Sequence, residues 1–114
     1  MSVENTSLDQ LEVLLRRAED RYDKRDYAGA IKFYDKILAI DTSDTWSLWE
    51  RGLMKKKKKD YAGALKDFKK VIDIDKDHTY AYYQIALINE KNGNKKEAKK
   101  NFTFVEELRS KNST

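Results

Sequence analysis

The chain is 114 residues long, 39% hydrophobic and 39% Asp, Glu, Lys or Arg, with four glycines and neither proline nor cysteine. That size suits one domain burying about two thirds of its unfolded surface; the lack of cysteine excludes disulfides and thiolate chemistry, and no stretch approaches the roughly 18 apolar residues of a membrane span. The formal net charge of +4 is a local feature, because Lys55, Lys56, Lys57, Lys58 and Lys59 alone outweigh it and leave the other residues at −1.

Ala, Leu, Lys and Glu are prominent and long runs of Val, Ile and Thr are missing, which favours helix over sheet. The opening MSVENTSLDQ lacks the basic and apolar regions of a signal peptide, which points to a protein of the cytoplasm, with residues 1–7 as a tail. Ser7 with Gln10 reads as a capping box that opens a first helix, whose stripe is Leu8, Leu11, Leu14, Leu15, Ala18 and Tyr22. Asp26 opens a second, with Tyr27, Ala30, Ile31, Tyr34, Ile37 and Leu38 stepping by three and four. Trp46, Trp49 and Leu53 begin a third. Asp60 opens a fourth, with Tyr61, Ala64, Leu65, Phe68, Val71 and Ile72 on one stripe. Tyr80, Tyr83 and Leu87 mark a fifth, next to the single histidine, His78, which is expected to lie at the surface or cap this helix. Gly93 suits a left-handed C-cap, and Asn94 with Glu97 opens a sixth helix, ahead of a second tail at 110–114.

These six helices are three copies of one unit. DYAGAIKFYDKILAID at 26–41 lies over DYAGALKDFKKVIDID at 60–75 when the chain is shifted by 34 residues, and NKKEAKKNFTFVEEL at 94–108 follows at the same step. A fixed period of this length indicates stacked hairpins. The chain resembles the tetratricopeptide repeat family over residues 8–109. Each unit has a small residue four places before an aromatic in its second helix: Ala30 with Tyr34, Ala64 with Phe68, Ala98 with Phe102. Another small residue stands in the first helix, at Ala18, Gly52 and Ala86. The resemblance implies an all-α, right-handed α-solenoid of three antiparallel helix-turn-helix repeats, at about 11–44, 45–78 and 79–109. The family's first-helix Trp is replaced by Leu14, Leu48 and Tyr82, its Tyr by Arg21, Lys55 and Asn89, and its terminal Pro by Thr42 and Lys76.

Ile31, Leu38, Leu65 and Ile72 stand where a following unit would pack, whereas the third unit has Lys99 and Glu106 there. Burying unpaired charges costs several kcal/mol, so the sixth helix is expected to be an end cap of a complete chain. Phe104 and Leu108 lie beside its stripe and either pack locally or form a homodimer contact. The expected state is therefore a monomer or a weak homodimer.

In the family the first helices of the hairpins line a groove for partner peptides, so the resemblance points to Glu12, Leu15, Glu19, Trp46, Trp49, Glu50, Leu53, Tyr80, Tyr83, Gln84 and Leu87. Such a groove is aromatic and suits an apolar or helical segment of another protein. One subfamily clamps the carboxylate of chaperone tails with Lys, Asn and Arg; the matching positions hold Leu15, Glu19, Glu50, Tyr80 and Gln84, which argues against that ligand. The lysine run, with Lys91, Lys95, Lys96, Lys99 and Lys100, forms a basic edge, and Asp41, Asp44, Asp73, Asp75 and Asp77 an acidic one. Helix-end electrostatics account for both. The other readings of the basic edge are docking of an acidic protein surface or nucleic acid; specific nucleic-acid recognition is disfavoured because no aromatic residues interleave with the lysines. Self-association as a scaffold is a third reading.

DIDKDH at 73–78 begins like a calcium loop, but His78 replaces the required glycine and Gln84 the bidentate glutamate. With one His, no Cys, no phosphate-binding glycine loop and no convergent acid pair, the sequence predicts neither an enzyme nor a metal or other cofactor.

Overall fold

Six α-helices and no strand make up residues 4–112, which the computed structural model describes: α1 (Glu4–Asp23), α2 (Tyr27–Ile40), α3 (Thr45–Lys57), α4 (Tyr61–Ile74), α5 (Thr79–Lys91) and α6 (Lys95–Asn112). Every substantial helix contact joins consecutive helices. This gives the linear stacking of a solenoid, with a radius of gyration of 15.9 Å against the roughly 13 Å of a globular domain of this length.

The repeated DYAGA pentapeptide is a helix start. Gly29 N–H donates to Asp26 Oδ1 at 2.9 Å and Gly63 N–H to Asp60 Oδ1 at 3.0 Å, satisfying orphan donors of α2 and α4. Each glycine keeps its cap in place, because a Cβ there would come within 2.2 Å of Asp26 Oδ2 or 2.3 Å of Asp60 Oδ2. Asp44 caps α3 through Ser47. In the matching place before α5, His78 Nδ1 accepts from Ala81 N–H at 3.1 Å, so the capping role expected of His78 is realised.

The turn inside each hairpin is also repeated. Arg25, Lys59 and Gly93 all adopt positive φ, at 60°, 65° and 82°, and each is followed by an N–H that reaches back five residues at 2.8 Å: Asp26 to Arg21, Asp60 to Lys55, Asn94 to Asn89. Only the third unit uses the glycine that this geometry favours; Arg25 and Lys59 each carry a penalty of about 1 kcal/mol.

Between the helices of each pair, small residues set the distance. A Cβ on Gly52 would stand 2.7 Å from Phe68 Cε1, so ring and backbone touch. Ala18 and Ala86 are fully buried in the equivalent places. Ala18, Ala30, Tyr34, Ile37 and Met54 form one core cluster, Leu38, Leu48, Val71 and Ala81 a second that joins neighbouring units, and Ala64, Phe68, Ile85 and Ile88 a third.

Where the family has an aromatic, this chain uses polar latches. Asp67, only 2% exposed, accepts from Arg51 Nε and Nη2 at 2.9 and 2.7 Å and pairs with Lys55 at 3.3 Å; Arg51 also reaches Asp35 at 2.9 Å. One guanidinium thus ties α2, α3 and α4 together. In the third unit Asn89 donates to Asn101 at 2.9 Å, with the same spacing of 12 residues as Lys55 and Asp67.

Some expectations change. Helix α1 begins at Glu4, a turn ahead of the start expected at Ser7 and Gln10, because Asn, Thr and Ser lower helix propensity only by fractions of a kcal/mol; the Ser7 side chain lies outside the described residues. Leu8 and Tyr22 are exposed, so the buried stripe of α1 shortens to Leu11, Leu14, Leu15 and Ala18. Helix α6 continues past residue 109 to Asn112. Phe104 packs edge-on against Tyr82 at 4.6 Å and Leu108 is buried, so both pack locally, and Lys99 and Glu106 are exposed.

Two substitutions probe this framework in urea unfolding followed by helical circular dichroism. Gly52→Val should cost about 3 kcal/mol by forcing the ring off the backbone. Asp67→Ala should cost about 3 kcal/mol by stranding Arg51 and Lys55.

Candidate functional site

Helices α1 and α3 do not close fully on each other, and a cleft of about 650 Å³ opens between them. Its walls are Glu19, Tyr22 and Asp23 from α1 and Trp46, Glu50, Leu53, Met54, Lys56 and Lys57 from α3; Tyr34 of α2 and Tyr61 of α4 complete it. Four aromatic side chains and three carboxylates therefore share one opening. Glu19 and Glu50 make no hydrogen bond or ion pair with the described residues. Burial, and then the Glu19 charge, push the Glu50 carboxyl above the ordinary glutamate range. Tyr34 is 2% exposed, and burial followed by the Glu50 and Glu19 charges raises its phenol far above the ordinary tyrosine value.

Of the residues expected in a groove, Glu19, Trp46, Glu50 and Leu53 meet here. The two tryptophans divide. Trp46 is 55% exposed, while Trp49 lies half-buried against Phe68 at 5.3 Å and His78 at 5.1 Å. One repeat later the pattern recurs: Tyr80 is 66% exposed, and Tyr83 stacks edge-on against Phe102 at 6.0 Å under Arg109. Leu15 packs against the first core cluster, Glu12 is exposed, and Leu87 is half-buried. Gln84 accepts from Lys56 Nζ at 2.5 Å, linking α5 to α3.

Three side chains of the lysine run meet partners within the molecule. Lys55 turns to Asp67, Lys56 to Gln84 across the cleft wall, and Lys57 lies over the Tyr27 ring at 5.6 Å. Burial, and then Lys57, hold the Lys56 ammonium below its usual range. Lys58 and Lys59 stay exposed in the turn, as do Lys95 and Lys96 on α6, and Lys91 covers the Tyr61 ring at 5.0 Å. Among the described residues, no three His, Cys, Asp or Glu come close enough to hold a metal ion, and no helix is long and apolar enough to cross a membrane.

Tyr22, Asp23, Tyr34, Met54 and Tyr61 are the cleft residues that sequence reasoning did not select. For Tyr34 a signal existed. The second-helix aromatics run Tyr34, Phe68, Phe102, and only the one facing the cleft carries a hydroxyl.

Stacked helical hairpins with an open cleft between successive first helices define a helical repeat scaffold. The profile described as the tetratricopeptide repeat matches residues 47–78 and 79–112, and the chain belongs to that family. No curated protein matches its sequence. Among solved structures it is similar to MamA, at 22% identity and a TM-score of 0.86 over 90% of this chain and 60% of that one. It is likewise similar to the first such domain of Spaghetti (RPAP3) bound to the HSP90 peptide SRMEEVD, at 23% identity and 0.79 over 88% and 79% of the two chains. The Yersinia enterocolitica type III secretion chaperone SycD in complex with a peptide of the translocator YopD follows, at 21% identity and 0.81 over 88% and 76%. The chain thus spans less than two thirds of the MamA chain.

Because the folded pKa of Glu50 is raised, the folded state holds this proton more tightly than the unfolded chain; the stabilising contribution is fully present below the ordinary glutamate range and is lost as pH rises through the raised value. Glu50→Gln should therefore gain stability relative to the parent as pH rises above the ordinary glutamate range, with no gain below it. Urea midpoints measured across the range give the comparison.

Proposed function

We propose that this protein is a non-enzymatic adaptor of the cytoplasm that holds a segment of a partner protein along the face built by α1, α3 and α5. The observation that carries the reading is the pair Trp46 and Tyr80, 34 residues apart, 55% and 66% exposed while Trp49 and Tyr83 beside them are packed. Large rings left in water at matching points of successive repeats are suited to anchor apolar side chains of one extended or helical ligand. The peptide complexes of SycD and Spaghetti show the same fold in use with peptide ligands.

Charge narrows the partner. Glu19 and Glu50 face the cleft without a cation paired to them, so a segment with positive charge is favoured and a terminal carboxylate is repelled. The ligand is therefore not a chaperone tail bound through its carboxylate. Local packing of Phe104 against Tyr82 supports a monomer as the working state.

Peptides selected by display on the immobilised protein provide a test. The double variant Trp46→Ala, Tyr80→Ala should bind them at least tenfold more weakly with helicity unchanged. Lys58→Gln with Lys59→Gln should stay within about twofold, because those lysines lie outside the groove. Equal binding by the ring variant, or a large salt-sensitive loss in the lysine variant, would overturn the reading.

A further inference from the structure

The cleft between α1 and α3 combines features that a purely apolar anchor leaves unused. Tyr34 is almost wholly buried, yet nothing among the described residues hydrogen-bonds its hydroxyl. No sealed side-chain oxygen lacks a partner in the described residues, so this hydroxyl must reach the open space of the cleft. There the phenol oxygen can meet water or an N–H of a ligand. Around it stand Glu19, Asp23 and Glu50, with Trp46, Tyr22 and Tyr61 as aromatic walls.

We infer that this cleft is the receptor for an arginine side chain of the partner segment, an assignment that rests on the concave-face reading and names its anchor. Three requirements converge on a guanidinium. The carboxylates are too dispersed for a metal ion, since no three acids gather within binding range among the described residues, but a planar cation with five N–H donors can span several acceptors. The aromatic walls attract a weakly hydrated cation through their ring faces. The Tyr34 oxygen accepts one N–H that a carboxylate pair would leave over. Lys56 and Lys57 also line the cleft, but the first donates to Gln84 and the second lies over Tyr27, so neither pairs with Glu19 or Glu50.

The minimal probe is N-acetyl-arginine methylamide, titrated into the whole chain while the indole N–H of Trp46 is followed by NMR. Saturable shifts in the millimolar range are expected. The citrulline counterpart, which keeps the shape and loses the charge, should bind at least about tenfold more weakly, and the lysine counterpart a few-fold more weakly. Tyr34→Phe and Glu50→Gln should each weaken the arginine probe, with unchanged circular dichroism as the check on folding. The assignment is overturned if the Trp46 signal does not move, if citrulline or lysine matches arginine, or if both variants bind as the parent does. The comparison of the three probes on the parent protein decides the matter even if a variant misfolds. An uncharged peptide of apolar residues, titrated in parallel and followed at Tyr80, separates failure of the arginine pocket from failure of the groove: shifts at Tyr80 alone would sink only the pocket.

Discussion

The Phe68 ring rests on the bare backbone of Gly52, with no room for a single added carbon. That contact fixes how near α3 and α4 approach, and Ala18 and Ala86 stand in the corresponding places of the other two units. Helices held this close have little freedom to rotate about their axes. Which residues of the first helices face outward is therefore decided by where each small residue must point.

One consequence is the division of labour among the rings. Residues three apart on a helix differ by about 60° in direction. With Gly52 turned toward Phe68, Trp49 falls on the same ring and is drawn into the junction with His78, whereas Trp46 swings outward. Tyr83 and Tyr80 repeat the split against Phe102. The outward rings are available to a ligand because the inward ones have already filled the space between repeats.

A second consequence concerns charge. Arg51, Lys55 and Asp67 form a buried polar latch in place of the aromatic that the family carries, and Asn89 with Asn101 is its neutral version. The period of 34 residues and the capping aspartates made the six helices, their order and their pairing legible in the sequence. The latch was not, because Asp67 sits beside Phe68 in a helix and its partners lie on another helix. Nor does apolar spacing reveal that a lysine run divides among a carboxylate, an amide and a ring. For the cleft, Glu19, Trp46, Glu50 and Leu53 followed from the face they share with family grooves. Tyr34 was concealed by its role as a core aromatic, since its ring is buried while its oxygen reaches outward. The start of α1 was misplaced because residues around Ser7 are only weak helix formers, and weak is enough when the helix behind them is packed.

Helix α1 has one substantial neighbour, α2, whereas α3 is gripped from both sides by α2 and α4. The cleft is walled by this loosely held helix and by that firmly held one. A guest seated between them adds a second attachment to α1 and so couples occupancy to the fraying of the first hairpin. Ligand affinity and the local unfolding equilibrium of α1 become two readings of one free energy, and slowed amide exchange in α1 becomes a gauge of how full the cleft is.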